Sequence, residues 1–251
     1  MNRLLISFFF ILSPLLIFSQ NFTRQDSLRG SITPQRAWWD LTYYHLDISV
    51  DPDNRFIKGT NTVQYKVLEG NDEMQIDLQE PLKITKITQD GNELNFRSEG
   101  YSHFIKLKKK QIKDKINSIK IHYEGNPKIA VNPPWDGGLT WTRDFNGKHF
   151  VANSNQGIGA SIWWPNKDHM YDEVDSMLIS VNVPKELVNV SNGRLRSIED
   201  FGDTKTYHWF VSNPINNYGV NINIGDYLMF SEVYDGEKGE LDMVYYVLRD
   251  N

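Results

Sequence analysis

The residues whose side chains could take part in catalysis or binding lie close together, between positions 155 and 176. Six ionisable side chains fall within nine residues of this stretch: Lys167, Asp168, His169, Asp172, Glu173 and Asp175. A glycosidase-like pair of carboxylates is one interpretation, because that chemistry needs two carboxyl groups about 5–10 Å apart in a groove. The alternative is a rigid loop in which Trp163 and Trp164 are core residues while the acids cap turns or form ion pairs.

Metal-assisted hydrolysis is the second chemistry to consider, because a zinc hydrolase needs three protein ligands and an open position for water. The chain contains six histidines: His45, His103, His122, His149, His169 and His208. No two of them are four residues apart and no H-E-x-x-H occurs, so the helical pair of zinc ligands is absent. A G-x-S-x-G elbow and a phosphate-binding loop are absent too. We therefore expect no metal site and no catalytic residue in this chain.

Composition excludes several further classes of function. The formal net charge of −5 gives no electrostatic support for nucleic-acid binding. The absence of cysteine excludes disulfides, thiolate metal sites and a cysteine nucleophile. A length of 251 residues with 39% hydrophobic residues allows one large β-domain with a substantial core.

The first twenty residues differ in character from the rest of the chain. Arg3 precedes an almost wholly apolar run at positions 4–18, which is short for a bilayer span but typical of a secretory signal peptide. We expect a signal peptide at 1–20, a flexible leader at 21–35 and one domain at 36–251. An uncleaved anchor is the alternative. The predicted product is exported, periplasmic or extracellular, with no transmembrane span after signal cleavage.

The rest of the chain alternates apolar and polar residues with a period of two, as half-buried strands do. Apolar residues at positions 44, 46, 48 and 50 are one example, followed by the turn cluster Asp51-Pro52-Asp53-Asn54 and a predicted antiparallel partner at 63–67. Asp90-Gly91 and Asn192-Gly193 are hairpin signals. Many short strands separated by turns predict an all-β fold, an antiparallel sandwich or curved sheet.

Five segments in a fixed order resemble the N-terminal β-domain of bacterial M1 zinc metallopeptidases, the aminopeptidase N family. They are W-W-D-L-T-Y-Y-H-L-D-I-S-V-D-P at 38–52, N-P-P-W-D-G-G at 132–138, N-Q-G-I-G-A-S-I-W-W-P-N-K-D-H at 155–169, V-S-N-G-R-L at 190–195 and N-I-G-D-Y at 223–227. The resemblance covers nearly the whole chain after the signal peptide. It implies a saddle-shaped β-domain whose zinc-bearing catalytic domain, with H-E-x-x-H and G-x-M-E-N, is missing here.

The resemblance also implies one substrate-binding position. In the family, a loop of the β-domain enters the active-site cleft, and a Gln or Glu on it helps to bind the N-terminal amine of the peptide. The W-W-P-N-K-D stretch places that role on Gln156, and Gly157 would let the backbone approach the substrate. A neutral amide attracts an ammonium less than a carboxylate does. Alternatively, Gln156 only hydrogen-bonds within its own loop.

Two functional hypotheses follow. The first is the N-terminal domain of an exported zinc aminopeptidase, which walls the cleft and acts on peptides only in the full-length enzyme, so that this chain is inactive alone. The second is a stand-alone exported β-module without catalysis that binds peptide or glycan through a tryptophan-rich surface. Its four tryptophans would be Trp135, Trp141, Trp163 and Trp164. A remnant without function is a third possibility.

Overall fold

The computed structural model describes residues 22–249 of the chain. The predicted signal peptide at 1–20 lies outside them. No helix in this range is long and apolar enough to cross a membrane.

Almost all regular structure between residues 22 and 249 is β-strand. Two short helices come first, α1 (Arg24–Gly30) and α2 (Pro34–Ala37), and two single 3-10 turns occur later, at Ala160–Ile162 and Asn217–Gly219. The strands in chain order are β1 (Trp39–Asp51), β2 (Phe56–Val67), β3 (Glu73–Asp77), β4 (Lys83–Gln89), β5 (Asn92–Glu93), β6 (Phe96–Glu99), β7 (Ser102–Lys106), β8 (Ile116–Gly125), β9 (Gly138–Arg143), β10 (His149–Ser154), β11 (Ser176–Pro184), β12 (Val188–Ser191), β13 (Arg194–Asp200), β14 (Thr204–Val211), β15 (Ile222–Gly225), β16 (Tyr227–Gly236) and β17 (Gly239–Leu248).

An eight-stranded sheet in the order β13-β14-β11-β1-β2-β8-β4-β5 forms the body of the domain. Strand β1 lies near its centre, antiparallel to β2 and parallel to β11. The alternation read from the sequence is confirmed here, because Tyr44, Leu46, Ile48 and Val50 are all buried. The all-β fold is confirmed as well, with the β1–β11 pair as a parallel exception that needs a long connection. The loop at 155–176 lies within that connection.

Smaller sheets complete the fold. Strands β12-β15-β10-β9 form one and β3-β7-β6 another, and residues of both join the same hydrophobic core as the main sheet. The loop at 155–176 connects the main sheet with the β3-β7-β6 sheet. Asn61 of β2 donates to the carbonyl of Pro165 (2.8 Å), and Asp77 of β3 and Asn166 exchange backbone hydrogen bonds of 2.9 and 3.1 Å.

Large aromatic side chains fill the core beneath this loop. Trp39 packs edge-on against Tyr65 at a centroid distance of 5.8 Å, and Trp164 against Tyr44 at 5.1 Å. Trp163 lies 5.8 Å from Trp164. Such aromatic pairs stabilise a core beyond the area they bury, so the loop rests on a firm base.

Within the segment predicted to be a leader, residues 24–30 form helix α1. Thr23 and Asp26 form a capping box at the start of α1. Only Leu28 of this seven-residue helix is buried, at 2% exposure. Because a single apolar residue has no recurring spacing, the sequence gives no helical pattern here.

Arg36 of α2 anchors the leader to the domain. This fully buried guanidinium donates to the carbonyls of Leu28, Arg29 and Ser31 at 2.8–3.2 Å and forms an ion pair with Asp77 at 2.5 Å. Tertiary contacts of this kind, rather than helix propensity, stabilise so short a helix.

The structure corrects one further local prediction. The Asn192-Gly193 pair does not close a hairpin, because β12 pairs with β15 while β13 pairs with β14. Strand β9 begins at Gly138, the last residue of the Pro- and Gly-rich motif at 132–138.

Strands β16 and β17 form a hairpin that pairs only with itself. Tyr246 packs against Trp209 of the main sheet, with ring centroids 5.8 Å apart. Leu228 and Phe230 lie on the opposite face and are exposed, and Met229, Val233 and Val244 on the face of Tyr246 are exposed as well.

Candidate functional site

The turn that follows β10 is built on two glycines. Gly157 has φ +74° and Gly159 has φ +82°, a backbone region that other residues rarely adopt. The carbonyl of Asn155 accepts hydrogen bonds from the backbone N–H groups of Ile158 (3.3 Å) and Gly159 (3.0 Å). A Cβ on Gly159 would lie 2.4 Å from the Asp168 carboxylate, whereas one on Gly157 would meet nothing within 4 Å. Gly159 is therefore required for close packing, and Gly157 for its backbone angle.

Side chains beneath the turn hold it in one shape. Asp168 accepts hydrogen bonds from the backbone N–H (3.1 Å) and the hydroxyl (2.6 Å) of Ser161. Gln79 donates to the carbonyl of Ile158 (2.6 Å) and the hydroxyl of Ser161 (2.9 Å). Burial raises the pKa of Asp168, and the charge of Asp77 raises it further, while the bonds from Ser161 oppose both. This carboxylate therefore acts as an acceptor that fixes the turn.

A buried ion pair closes the loop at its far end. The Lys167 ammonium, which is fully buried, donates to Asp172 (2.5 Å) and to the carbonyl of Trp39 (2.7 Å). It also lies 3.9 Å from the centre of the Trp39 ring, within cation–π distance. Burial lowers the pKa of Lys167 to about 8, against the opposing effect of Asp172. The Lys167 backbone N–H donates to the Tyr44 hydroxyl (2.9 Å), which ties the loop to β1.

These contacts divide the clustered acids into two that are bonded inside the fold and two that are exposed. Asp168 and Asp172 are both engaged in hydrogen bonds inside the fold, while Glu173 and Asp175 are exposed. The structure favours the rigid-loop interpretation over a pair of catalytic carboxylates. Between residues 22 and 249, no group of three or more His, Cys, Asp or Glu residues is arranged to hold a metal ion.

Gln156 projects from this turn into solvent. Its side-chain Oε1 accepts a hydrogen bond from the Tyr218 hydroxyl at 2.6 Å. The backbone of Tyr218 is itself fixed, because Asn155 donates to its carbonyl (2.8 Å) and Asn216 accepts from its N–H (2.9 Å). One lone pair of Oε1 is therefore occupied, and the second can still accept a hydrogen bond from an amine. The carbonyl of the neighbouring Gly157 accepts from the Arg29 guanidinium at 3.2 Å.

The tryptophan-rich surface is not formed, which corrects that prediction. Trp163 and Trp164 have 0% exposure because they fill the core between the loop and β1. Trp141 is half-buried on β9, and Trp135 is 76% exposed. One exposed indole does not form an aromatic platform. The stand-alone binding-module hypothesis therefore lacks the tryptophan surface through which it was expected to bind ligands.

A cavity of about 660 Å³ lies beside Gln156, and helix α1 forms one of its walls. Tyr218, which lines it, contacts Gln156 directly. Sequence reasoning missed both Tyr218 and Arg29. Tyr218 lies 62 residues after Gln156 in the chain, and Arg29 belongs to the leader for which no structure was expected, so no local pattern signals either contact.

Solved structures define the class of fold. The chain superposes on an M1 zinc metallopeptidase from Deinococcus radiodurans, determined with a Tyr-Ser-Ala substrate, with a TM-score of 0.71 and 15% identity. That match covers 86% of this chain and 49% of that one. Leukotriene A4 hydrolase from Saccharomyces cerevisiae matches with a TM-score of 0.63 and 21% identity, over 82% of this chain and 31% of that one. No protein-family model and no curated protein matches the sequence.

The resemblance drawn from the sequence motifs is thus confirmed by the fold. The chain has the all-β architecture found in M1 zinc metallopeptidases and spans about half the length of the first of these structures.

Proposed function

We propose that this chain is the N-terminal β-domain of an exported zinc aminopeptidase. The observation that carries the proposal is the fold match, which covers most of this chain but only half of a peptidase with bound peptide. In this proposal, zinc and the groups that act with it belong to a catalytic domain outside this sequence, which contains no H-E-x-x-H.

The proposed role of the chain is to present Gln156 to the N-terminal amine of a peptide. The turn supports this role because it is held rigid from below by Asp168 and Gln79, while Gln156 itself is exposed. A positioning group loses little entropy on binding when it is already ordered. The Tyr218 hydroxyl orients the amide, and the free lone pair of Oε1 would accept a hydrogen bond from the ammonium.

The β16–β17 hairpin supports the presence of a second domain. Leu228, Phe230, Tyr234 and Leu241 lie on one face of it and are 41–58% exposed. A two-stranded hairpin is marginally stable in water, and a contiguous exposed apolar face marks an interaction surface. In our proposal this face packs against the catalytic domain. The apolar run at 4–18 supports export, because its length and its preceding Arg3 are typical of a secretory signal peptide.

Kinetics of Gln156 variants in the native, full-length product test the role of this residue. We expect Gln156→Ala to raise KM for peptides with a free amine, because one hydrogen bond to the ammonium is lost. Gln156→Glu should lower KM for the same substrates, since a carboxylate attracts an ammonium more strongly than an amide does. Zinc content should stay unchanged in both variants. Equal KM values in wild type, Gln156→Ala and Gln156→Glu would refute the role.

A further inference from the structure

The cavity beside Gln156 has walls of mixed charge and has no assigned role. It lies between α1, the segment after Asn166 and the 3-10 turn at Asn217–Gly219. Its volume of about 660 Å³ falls in the range of small-molecule sites, about 300–1,000 Å³. The lining residues relevant here are Asp26, Arg29, Asp168, His169, Met170 and Tyr218. A smaller cavity of about 110 Å³ adjoins it and shares Asp26, Arg29 and Asp168.

Arg29 supplies a positive charge to this cavity. Its guanidinium donates to the carbonyl of Gly157 and forms no ion pair within 4 Å among residues 22–249, although its charge acts on the nearby carboxylates of Asp26 and Asp168. The arginines on either side of it in the sequence are paired, Arg24 with Glu99 at 2.9 Å and Arg36 with Asp77 at 2.5 Å. A guanidinium has five N–H donors in a planar fork that matches a carboxylate. Arg29 therefore has donors available for an anionic group.

Two carboxylates supply negative charge to the same cavity. The side chain of Asp26 accepts its hydrogen bonds from Thr23 through Oδ2, and Asp168 accepts those from Ser161 through Oδ2 as well. Within the described range, Oδ1 of Asp26 and Oδ1 of Asp168 accept no hydrogen bond. Each carboxylate thus keeps one oxygen for a ligand, and an ammonium can use both.

We propose that this cavity binds a small zwitterion, a free α-amino acid or a short peptide. The ligand carboxylate would pair with Arg29, its ammonium with Asp168 and Asp26, and its side chain would lie against Met170 and Tyr218. A simple anion would face the two aspartates and a simple cation would face Arg29, whereas a molecule with both charges matches the whole lining. The inference does not rest on the proposed catalytic domain, because every group involved belongs to this chain.

Such a ligand would also be coupled to the candidate site. Arg29 binds the carbonyl of Gly157, and Tyr218 binds the side chain of Gln156. A zwitterion in the cavity would contact both Arg29 and Tyr218. The expected consequence is that occupancy alters the environment of Gln156 without contact between ligand and Gln156.

The test is calorimetric titration of the purified chain, without zinc, with the dipeptide leucyl-leucine. We expect saturable binding at millimolar concentration or below. N-acetyl-leucyl-leucine lacks the ammonium and leucyl-leucine amide lacks the carboxylate, so each should bind at least about tenfold more weakly, as expected for the loss of a charge-assisted pair.

Variants of two arginines on the same helix assign the contact. Arg29→Gln should weaken leucyl-leucine binding about tenfold but barely change binding of the amide, because the carboxylate contact is already absent there. Arg24→Gln is the matched control, since Arg24 pairs with Glu99 away from the cavity lining, and it should bind like wild type.

Three results would overturn the proposal: no saturable binding of leucyl-leucine, equal binding of the dipeptide and its two blocked forms, or equal loss in Arg24→Gln and Arg29→Gln. The comparison of blocked ligands uses the wild-type chain, so it decides the matter even if a variant fails to fold. A negative result here leaves the aminopeptidase proposal standing, because that proposal is tested by kinetics in the full-length product.

Discussion

The buried pair of Lys167 and Asp172 gives the sharpest prediction of stability. In Asp172→Asn, the carboxylate becomes a neutral amide of nearly the same size. The amide oxygen can still accept from the Lys167 ammonium and from the backbone N–H of Leu41, which now donate to Asp172 at 2.5 and 3.2 Å. The substitution therefore removes a charge while it preserves shape and hydrogen-bond acceptors.

The expected cost is large because the ammonium left behind is fully buried. Removal of one partner from a buried ion pair typically costs about 3–5 kcal/mol of unfolding free energy. The carbonyl and ring of Trp39 remain near the ammonium but offer only partial charges. For a domain of this size, each kcal/mol lowers Tm by about 2–4 °C, so Tm should fall by roughly 6–20 °C.

Urea denaturation followed by tryptophan fluorescence measures this loss. Asp175→Asn is the matched control, because Asp175 is an exposed acid three residues away, and it should change stability by less than about 0.5 kcal/mol. The double variant Lys167→Met/Asp172→Leu should recover most of the loss, since both charges leave the core together. A loss below about 1 kcal/mol in Asp172→Asn would show that the pair does not hold the loop as described.

Three other perturbations have defined outcomes. Gly157→Ala should lower the free energy of unfolding by about 1–2 kcal/mol, because the backbone at this position is left-handed. Gly159→Ala should lower it further, because the added Cβ would clash with Asp168. Equal losses in urea denaturation would contradict the close packing of Gly159 against Asp168. Burial lowers the pKa of Lys167 from 10.5 to about 8. Between pH 8 and 10.5, Lys167 therefore binds more protons in the unfolded chain than in the folded chain. Because of this difference, the contribution of Lys167 to the free energy of unfolding rises with pH. The free energy of unfolding of wild type should therefore increase relative to that of Lys167→Met as the pH is raised from 8 to 10.5. A difference between the two proteins that stays constant over this range would contradict the lowered pKa. Phe230→Lys should reduce self-association of the isolated chain in sedimentation velocity, whereas Asp203→Lys, at an exposed position outside the hairpin, should not. Equal behaviour of the two variants would argue against the apolar face as an interface.

The strands were predictable because their burial is periodic. Positions 44–50 alternate in the sequence and alternate in burial, so β1 could be located without a structure. Helix α1 was missed for the complementary reason. It buries only Leu28, and its stability depends on the Arg36 contacts, which no local pattern encodes.

The loop at 155–176 was recognised as a rigid element, but its surface was not predicted correctly. Composition cannot say whether a tryptophan points inward, and Trp163 and Trp164 point into the core. The contact of Gln156 with Tyr218 was also beyond sequence reasoning, because it depends on how the turn at 217–219 packs against Asn155. Gln156 and Gly157 remain predicted substrate-binding residues.

The size and activity of the native product test the central proposal most directly. An antibody to this domain, used on the exported fraction, would identify the product, and cleavage of aminoacyl substrates would be assayed on the same material. The proposal predicts a band far above the 29.2 kDa of this sequence, together with zinc-dependent aminopeptidase activity. A band at or slightly below 29.2 kDa, without such activity, would contradict it.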